Sequence, residues 1–555
     1  MKIENTTDII ANLLYKSGVR HVVVSSGSRS LRMVKAVVAH EGLTTRMVVD
    51  ERVAAFSALG ISDCEKQPVA LICTSGSAML NYAPALAEAY YRGVPIIAIT
   101  ADRPIDVIDI NDGQTIHQFH AIDNIVKTSI DIDATKSCSI ADFDKISAAV
   151  SVALSPRKGP IHINLHLEEN STILQENVIY DKDPIAPQPL SNRFEDLSVS
   201  KFADKKILIF VGQREVDEDF NLSISRITSY PNIVVVADIV SNCIVDNVIT
   251  DVESIITEIK ENPEIFNPDL LISMGKTAPL SRRFKEWLRS IDSYSHWRVN
   301  DKDAPEDTYS HLSKTIVGDD TAFLNYLADN IPQLEDNSTT YSASWNRVYK
   351  VAIEQKRALL ATSKWSDIRA INIILQSLPM DYVVQCSNGM TIRNVSLVGL
   401  KGYDVYCNRG VNGIDGSTST ALGFSSVSKT PTLFISGDMS ALYDVSALFS
   451  GQLSPKFKMI IIANCGGEIF RMIKATRDYE YREEMLCHIP DIKWNEVAAS
   501  VDMEYYEVEN ETQLISTFSS FFHIGDKASL LVVKTPAGNS ETYNEIINKI
   551  KIAYE

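Results

Sequence analysis

Cysteine pairs are missing from this sequence. Its eight cysteines are scattered and none forms a Cys-x-x-Cys pair. That excludes the common zinc-ligand spacings and a disulfide framework, and it fits a reducing cytoplasm. Long apolar runs are missing too: none approaches the roughly 18 residues of a membrane span. No charged-then-apolar leader opens the chain, which runs from Met1-Lys2-Ile3-Glu4-Asn5 straight into a helical pattern. The expectation is therefore a cytoplasmic protein with no membrane partner. Positive charge is scarce. A net charge of −18 argues against nucleic acid or anionic membrane as a partner, and it makes any local arginine cluster informative. No Gly-x-Gly-x-x-Gly follows the first apolar strand, where the chain reads Ser26-Gly27-Ser28-Arg29, so a nicotinamide-dependent Rossmann enzyme is disfavoured. Solenoid repeats and low-complexity segments are also lacking. What remains is a chain of 555 residues with room for about three or four globular domains.

The most informative stretch runs from Thr432 to Phe470. Thr432-Leu433-Phe434-Ile435-Ser436 is an apolar run closed by Gly437-Asp438-Met439-Ser440, the pattern of a buried parallel strand and its turn. Leu442, Val445, Leu448 and Phe449 follow at helical spacing. A second run, Met459-Ile460-Ile461-Ile462-Ala463, ends in Asn464-Cys465-Gly466-Gly467. This strand–helix–strand unit leaves two polar turns at the carboxyl ends of one sheet, where open α/β sheets bind ligands. One carboxylate, one amide oxygen and one carbonyl suit Mg²⁺ beside a diphosphate. Read alone, Gly437-Asp438 is equally a turn with an aspartate helix cap.

The rest of the chain divides into segments 1–185, 186–340 and 341–555. In the first, Thr6–Ser17 is a helix capped by Thr6 or Thr7, and His21–Ser25 is a strand. The turn Ser26-Gly27-Ser28-Arg29-Ser30 then offers backbone N–H groups and a guanidinium to an anion. Met47-Val48-Val49-Asp50-Glu51-Arg52 places Glu51 at the end of a buried strand facing apolar Val53, Ala54 and Ala55, where desolvation raises a carboxyl pKa. The alternative is a surface glutamate at a helix start. Val69–Cys73, Pro95–Thr100 and Gly159–Leu165 complete a doubly wound parallel domain. The middle segment is a second α/β domain with strands at Lys206–Gly212, Asn232–Ala237 and Leu270–Met274. There Ser281-Arg282-Arg283 either grips a carboxylate or forms a solvated basic face with Lys285. A polar link from Ser338 and a helix through Trp345, Val348, Val351 and Ala352 lead to the third segment. Its strands Tyr382–Cys386 and Asp404–Cys407 end at Ser387-Asn388-Gly389-Met390-Thr391-Ile392-Arg393 and at Asn408-Arg409-Gly410-Val411-Asn412-Gly413-Ile414-Asp415-Gly416.

In order, Ser-x-Gly-Ser-Arg-Ser, Val-Asp-Glu-Arg-x-Ala-x-Phe-x-Ala-Leu-Gly, Cys-Thr-Ser-Gly-x-Ala, Thr-Ala-Asp-Arg-Pro, Gln-Thr-Ile, Asn-x-Met-x-x-Arg, Asn-Arg-Gly-x-x-Gly-Ile-Asp-Gly, Gly-Asp-x-Ser and Gly-Gly-x-Ile-Phe resemble one family. It is that of 2-succinyl-5-enolpyruvyl-6-hydroxy-3-cyclohexene-1-carboxylate synthase, a thiamine diphosphate enzyme of menaquinone biosynthesis. The resemblance implies three doubly wound parallel-sheet α/β domains: 1–185 for the cofactor's pyrimidine, 186–340 central, and 341–555 for diphosphate and Mg²⁺ (or Mn²⁺). It implies that Glu51 contacts N1′ of the aminopyrimidine and that Ile414 bends the cofactor with Met390 beside it. Asp438, Asn464 and the Gly466 carbonyl would hold the metal, with Gly437, Met439 and Ser440 around the diphosphate. Arg29 and Gln114 join Glu51 near the reacting atoms. By the same resemblance, Ser28, Arg29, Arg103, Gln114, Arg282, Arg283, Arg393 and Arg409 face the small-molecule carboxylate substrates 2-oxoglutarate and isochorismate. Ile469 and Phe470 form an apolar wall. Because Glu51 and the diphosphate site come from different chains in this superfamily, a homodimer is implied, and homotetramers are common.

The sequence departs from the family pattern at Ser26 (usually proline), Leu31-Arg32-Met33, Gly389 (usually serine), Thr391, Val411-Asn412 (usually Ala-Ser) and Ala463 and Cys465 (usually asparagine). These changes leave open a related thiamine diphosphate-dependent decarboxylase or carboligase with another acceptor. Retained Glu51, Asp438 and Asn464 argue against an inactive regulatory paralogue.

Overall fold

The protein is described by a computed structural model covering residues 5–168, 183–194, 196–202, 204–332 and 341–552. Residues 1–4 of the expected helical start and residues 338–340 of the expected polar link lie outside them. Eighteen strands among the described residues form three six-stranded sheets, every pairing parallel. The first contains β1 (His21–Val24), β2 (Thr44–Met47), β3 (Val69–Cys73), β4 (Ile96–Asp102), β5 (Ser129–Asp133) and β6 (Ile161–His166). The second contains β7 (Ile207–Val211), β8 (Ile233–Ala237), β9 (Val248–Ile249), β10 (Leu270–Met274), β11 (Ser295–Asn300) and β12 (Leu312–Val317). The third contains β13 (Val383–Cys386), β14 (Val405–Cys407), β15 (Thr432–Gly437), β16 (Phe457–Ala463), β17 (Glu504–Val508) and β18 (Ser529–Lys534).

The outer sheets share one topology. The first runs β2-β1-β3-β4-β6-β5 and the third β14-β13-β15-β16-β18-β17, the same order counted from its own first strand. The second runs β9-β8-β7-β10-β11-β12, the doubly wound order of dinucleotide-binding folds. Helices cover both faces of the central strands, so every residue of β3, β4, β6, β7, β8 and β10 is buried; β3, β7 and β8 are continuous apolar runs, while β6 also buries His162, Asn164 and His166. The long helix Tyr341–Thr362 packs Trp345, Val348 and Ala352 into the core of the second sheet, against Phe266 and Trp287.

Several local expectations need correcting. The first helix, Thr6–Lys16, is capped by Asn5, whose Oδ1 accepts from the N–H groups of Thr7 and Asp8. Glu51 is not at a strand end. β2 stops at Met47 on the sheet's edge, Asp50 caps the next helix through the N–H groups of Arg52 and Val53, and Glu51 is the first residue of that helix, Glu51–Glu65. The run from Leu442 to Phe449 is a helix, Asp438–Tyr443, followed by a separate 3-10 turn, Val445–Phe449.

Helix Glu51–Glu65 also joins the outer units. It crosses helix Ser417–Ser425 so closely that a Cβ on Gly60 would lie 1.9 Å from the Thr420 carbonyl oxygen, and one on Gly423 would lie 2.1 Å from that of Ser57. Only glycine allows backbones to approach this far.

Candidate active site

In the third sheet the strand order reverses between β13 and β15, so their outgoing loops diverge and leave a crevice. A cavity of about 110 Å³ occupies it, floored by Asn388–Thr391 after β13, Gly437–Ser440 after β15, and Asn464 after β16. Ile414, Ile469 and Phe470 also line it. Gly389, at φ 90°, turns the chain into helix Met390–Val398, and nothing lies within 4 Å of where its Cβ would be. Gly437 has an ordinary φ of −76°, and a Cβ there would meet only Thr391 Oγ1, at 3.8 Å. The chain's own packing therefore does not require glycine at 437; its missing side chain leaves room in the cavity.

Asp438 is 5% exposed. Burial raises its pKa, opposed by N–H donation from Gly466, Met439 and Asn464. Met439 N donates to Oδ1 at 2.7 Å, while Asn464 N and Gly466 N donate to Oδ2 at 3.1 and 3.0 Å. The two turns predicted from sequence are thus brought onto one carboxylate. The Asn464 side chain donates through Nδ2 to Asp367 Oδ2 at 2.7 Å, and no described residue donates to its Oδ1. The Gly466 carbonyl accepts from Arg471 Nη1 at 2.7 Å, and Glu468 and Glu483 hold that guanidinium. Ser440 Oγ donates to the Ile414 carbonyl at 2.7 Å, tying Ile414 to this turn. Among the described residues no cluster of three or more His, Cys, Asp or Glu could hold a metal by itself. A cation beside Asp438 would need further negative charge from a ligand.

The second group of predicted residues lies at the carboxyl ends of the first sheet. Arg29 is buried and donates to the Leu167 carbonyl at 3.2 Å. Exposed Ser28 precedes it. Arg103 pairs with Asp112 at 3.2 Å, and Gln114, at φ 61°, donates to the Ser75 carbonyl at 3.1 Å. Glu51 stands between two anchored neighbours. Asp50 accepts from Ser446 Oγ at 3.0 Å, and Arg52 sits 5.1 Å from the Tyr443 ring centroid and donates to that residue's carbonyl. Burial raises the Glu51 pKa, as the sequence predicts, opposed by a hydrogen bond from the residue's own backbone N–H. No residue of the first sheet's unit lines the 110 Å³ cavity.

Residues 4–126 match the family profile described as thiamine pyrophosphate enzyme, N-terminal TPP binding domain. The chain is 32% identical to the 2-succinyl-5-enolpyruvyl-6-hydroxy-3-cyclohexene-1-carboxylate synthase of Porphyromonas gingivalis, over 95% of this chain and 94% of that one. It is 36% identical to the synthase of Flavobacterium psychrophilum over 85% of each chain, and 30% identical to that of Christiangramia forsetii over 99% of each. This chain belongs to the 2-succinyl-5-enolpyruvyl-6-hydroxy-3-cyclohexene-1-carboxylate synthase family.

The remaining synthase-type arginines fall into two sets. Arg409, buried, donates to Asn388 Oδ1 at 3.0 Å, and Arg393 donates to the Gly389 carbonyl at 2.6 Å. Burial and then the nearby Arg409 charge lower the Arg393 pKa, the signature of cations crowded where an anion would relieve them. Arg283 pairs with Glu253 at 3.2 Å, and the same glutamate adds its charge to the surroundings of Arg393. Arg282 lies in solvent, paired with Glu286 at 2.6 Å, so the structure does not bring it to the cavity.

Three residues escaped the sequence reading. Asp367 holds Asn464. Glu88, buried in the first unit, accepts from Gly410 N and Val411 N, both at 2.8 Å, and fixes the loop that carries Arg409. Asp238, after β8, accepts from Leu280 N at 2.9 Å beside Arg409, and burial pushes its pKa up to about 7. Each lies far along the chain from its partner, and no local motif marks it.

Proposed function

We propose that this protein is the thiamine diphosphate- and Mg²⁺-dependent (or Mn²⁺-dependent) synthase of its family. It would decarboxylate 2-oxoglutarate and join the remaining four-carbon unit to isochorismate in menaquinone biosynthesis, in the cytoplasm. The observation that carries this reading is the switch-point cavity, where one carboxylate, one free amide oxygen and the space at Gly437 meet in a chain matched nearly end to end by that family.

The residues fit the cofactor. The open space at Gly437 suits close approach of a diphosphate, and the lone Asp438 carboxylate suits a hard cation whose other charges come from that diphosphate. Asp438 and Asn464 Oδ1 would hold the metal, with the Gly466 carbonyl if Arg471 yields it. Bound there, thiamine diphosphate supplies the carbanion chemistry that amino-acid side chains lack.

This chain's own residues do the rest. Glu51, whose pKa burial raises, would hold or release a proton at the cofactor's pyrimidine ring. Ile414, fixed by Ser440, and Met390 would set the cofactor's shape. Arg393 and Arg409 in the third unit, and Arg29 and Arg103 in the first, would neutralise substrate carboxylates, with Ser28 and Gln114 as polar contacts. Ile469 and Phe470 would keep water from the reacting centre. Because Glu51 does not line the cavity of its own chain, the complete site is proposed to form between two copies. Segment 1–185 of one would face segment 341–555 of the other, in a homodimer or in a homotetramer built from it.

The test is a coupled assay with thiamine diphosphate and Mg²⁺ that follows 2-oxoglutarate-dependent CO₂ release and the loss of isochorismate absorbance. Joint consumption of both substrates is expected. Cofactor binding without turnover of either would instead assign the changes at Gly389 and Asn412 to a different specificity, to be sought among other 2-oxo acids.

A further inference from the structure

We propose that Asp367 is the positioning residue for Asn464, setting which end of that amide is presented to the metal. The inference rests on the reading of Asn464 as a metal ligand given above. An asparagine side chain has an oxygen end and a nitrogen end of nearly the same shape, and only the oxygen binds a hard cation. Something must choose between them.

Asp367 is buried at the start of helix Asp367–Gln376, with Ser366 as the helix cap. Its Oδ1 is taken by Thr535 Oγ1 at 2.6 Å and Asn539 Nδ2 at 2.7 Å. Its Oδ2 accepts from Asn464 Nδ2 at 2.7 Å. A carboxylate only accepts, so a flipped amide would set oxygen against oxygen in a buried place. The arrangement therefore assigns nitrogen to the Asp367 side and leaves Oδ1 as the free end of a residue that lines the cavity. Asn539 is fixed in turn: its Nδ2 also donates to the Pro536 carbonyl at 2.6 Å, and its Oδ1 accepts from Asp367 N at 3.1 Å. The orienting carboxylate thus cannot swing away. Groups that hold a ligand in this manner typically change metal affinity by about 10–100-fold when removed.

The experiment titrates Mn²⁺ into the full-length protein with saturating thiamine diphosphate at pH 8 and reads free Mn²⁺ by electron paramagnetic resonance. Melting temperatures of the metal-free proteins are recorded alongside. D367N is expected to weaken Mn²⁺ binding about 10–100-fold, because an amide opposite Asn464 accepts either orientation. The exchange variant D367N/N464D reverses the bond, with the donor now at 367, and puts oxygen at both ends of 464, and it is expected to recover most of the affinity. D367N binding Mn²⁺ within about threefold of wild type overturns the proposal. So does a D367N/N464D variant that folds with a wild-type melting temperature but binds no better than D367N, since its 464 side chain offers the metal an oxygen whichever way it faces. Should D367N fail to fold, the exchange variant decides alone: Mn²⁺ binding within about tenfold of wild type supports the role, and its absence overturns it. If wild-type protein with thiamine diphosphate binds no Mn²⁺, the metal-site reading falls and takes this role with it.

Discussion

Asp238→Asn should stabilise the protein in a way that depends on pH. Asp238 is 7% exposed, and burial holds its carboxyl at about 7, against an ordinary value of 3.8, even though the Arg409 charge pulls the other way. That gap corresponds to a preference for the protonated form of about 4 kcal/mol, taken as a ceiling. The sign follows from proton counting. Between about pH 4 and pH 7 the folded protein keeps a proton that the unfolded chain has lost, so wild-type stability from this group falls as pH rises through the window and levels off above it. Asparagine cannot ionise and keeps an oxygen to accept from Leu280 N. The variant's advantage should therefore be near zero at pH 4, about 1–2 kcal/mol at pH 5 and about 4 kcal/mol at pH 8. Urea unfolding of both proteins at pH 5 and pH 8, followed by tryptophan fluorescence and circular dichroism, measures the difference, and groups common to both proteins cancel. An equal advantage at the two pH values, or a less stable variant at pH 8, would refute the assignment of a buried carboxyl with a raised pKa at 238.

Other perturbations bear on the site and its frame. Glu51→Gln should retain thiamine diphosphate, measured by fluorescence quenching, and lose turnover by at least about 10²-fold; near-normal turnover would remove Glu51 from the chemistry. Gly60→Ala drives a Cβ to within 1.9 Å of the Thr420 oxygen and should cost about 3 kcal/mol in denaturant unfolding, whereas a neutral result would mean that the two helices move apart freely. Glu88→Ala strips a charged acceptor from Gly410 N and Val411 N; at about 1.5–3 kcal/mol per bond, stability should fall by several kcal/mol and KM should rise through the loosened Arg409 loop. Chelation by EDTA should release thiamine diphosphate in equilibrium dialysis, because Asp438 alone repels a diphosphate; retention of the cofactor would contradict a metal bridge.

The parts of this protein that can be read from sequence are those encoded by neighbours along the chain. β7, β10 and β15 stand out because strands covered on both faces are unbroken apolar runs. β5 and β12 lie at sheet edges, alternate polar with apolar residues, and escape that test. β11 escapes it for a different reason: it is buried, yet carries His296 and Arg298, whose Nε2 and Nε are paired with Ser273 and Glu306 from outside the strand. Val48 and Val49 mimic a strand end before Glu51, but the Asp50 cap starts a helix there instead. The same division runs through the candidate site. Asp438 and Asn464 announce themselves through their turns, whereas Asp367 reaches Asn464 across 97 residues and is visible only once β15, β16 and helix Asp367–Gln376 are assembled. Arg282 is a case where sequence does not separate two readings: an arginine pair beside a turn looks like an anion grip, and within this chain Arg282 is exposed and paired with Glu286 one helical turn on. The outer sheets carry the argument one step further. Identical strand orders place a loop cluster at the carboxyl ends of each, one with Glu51 and arginines, the other with Asp438 and the cavity. Neither cluster holds all the proposed chemistry, and within one chain Glu51 does not line the cavity, which is the observation behind the proposal that a second copy brings the two together.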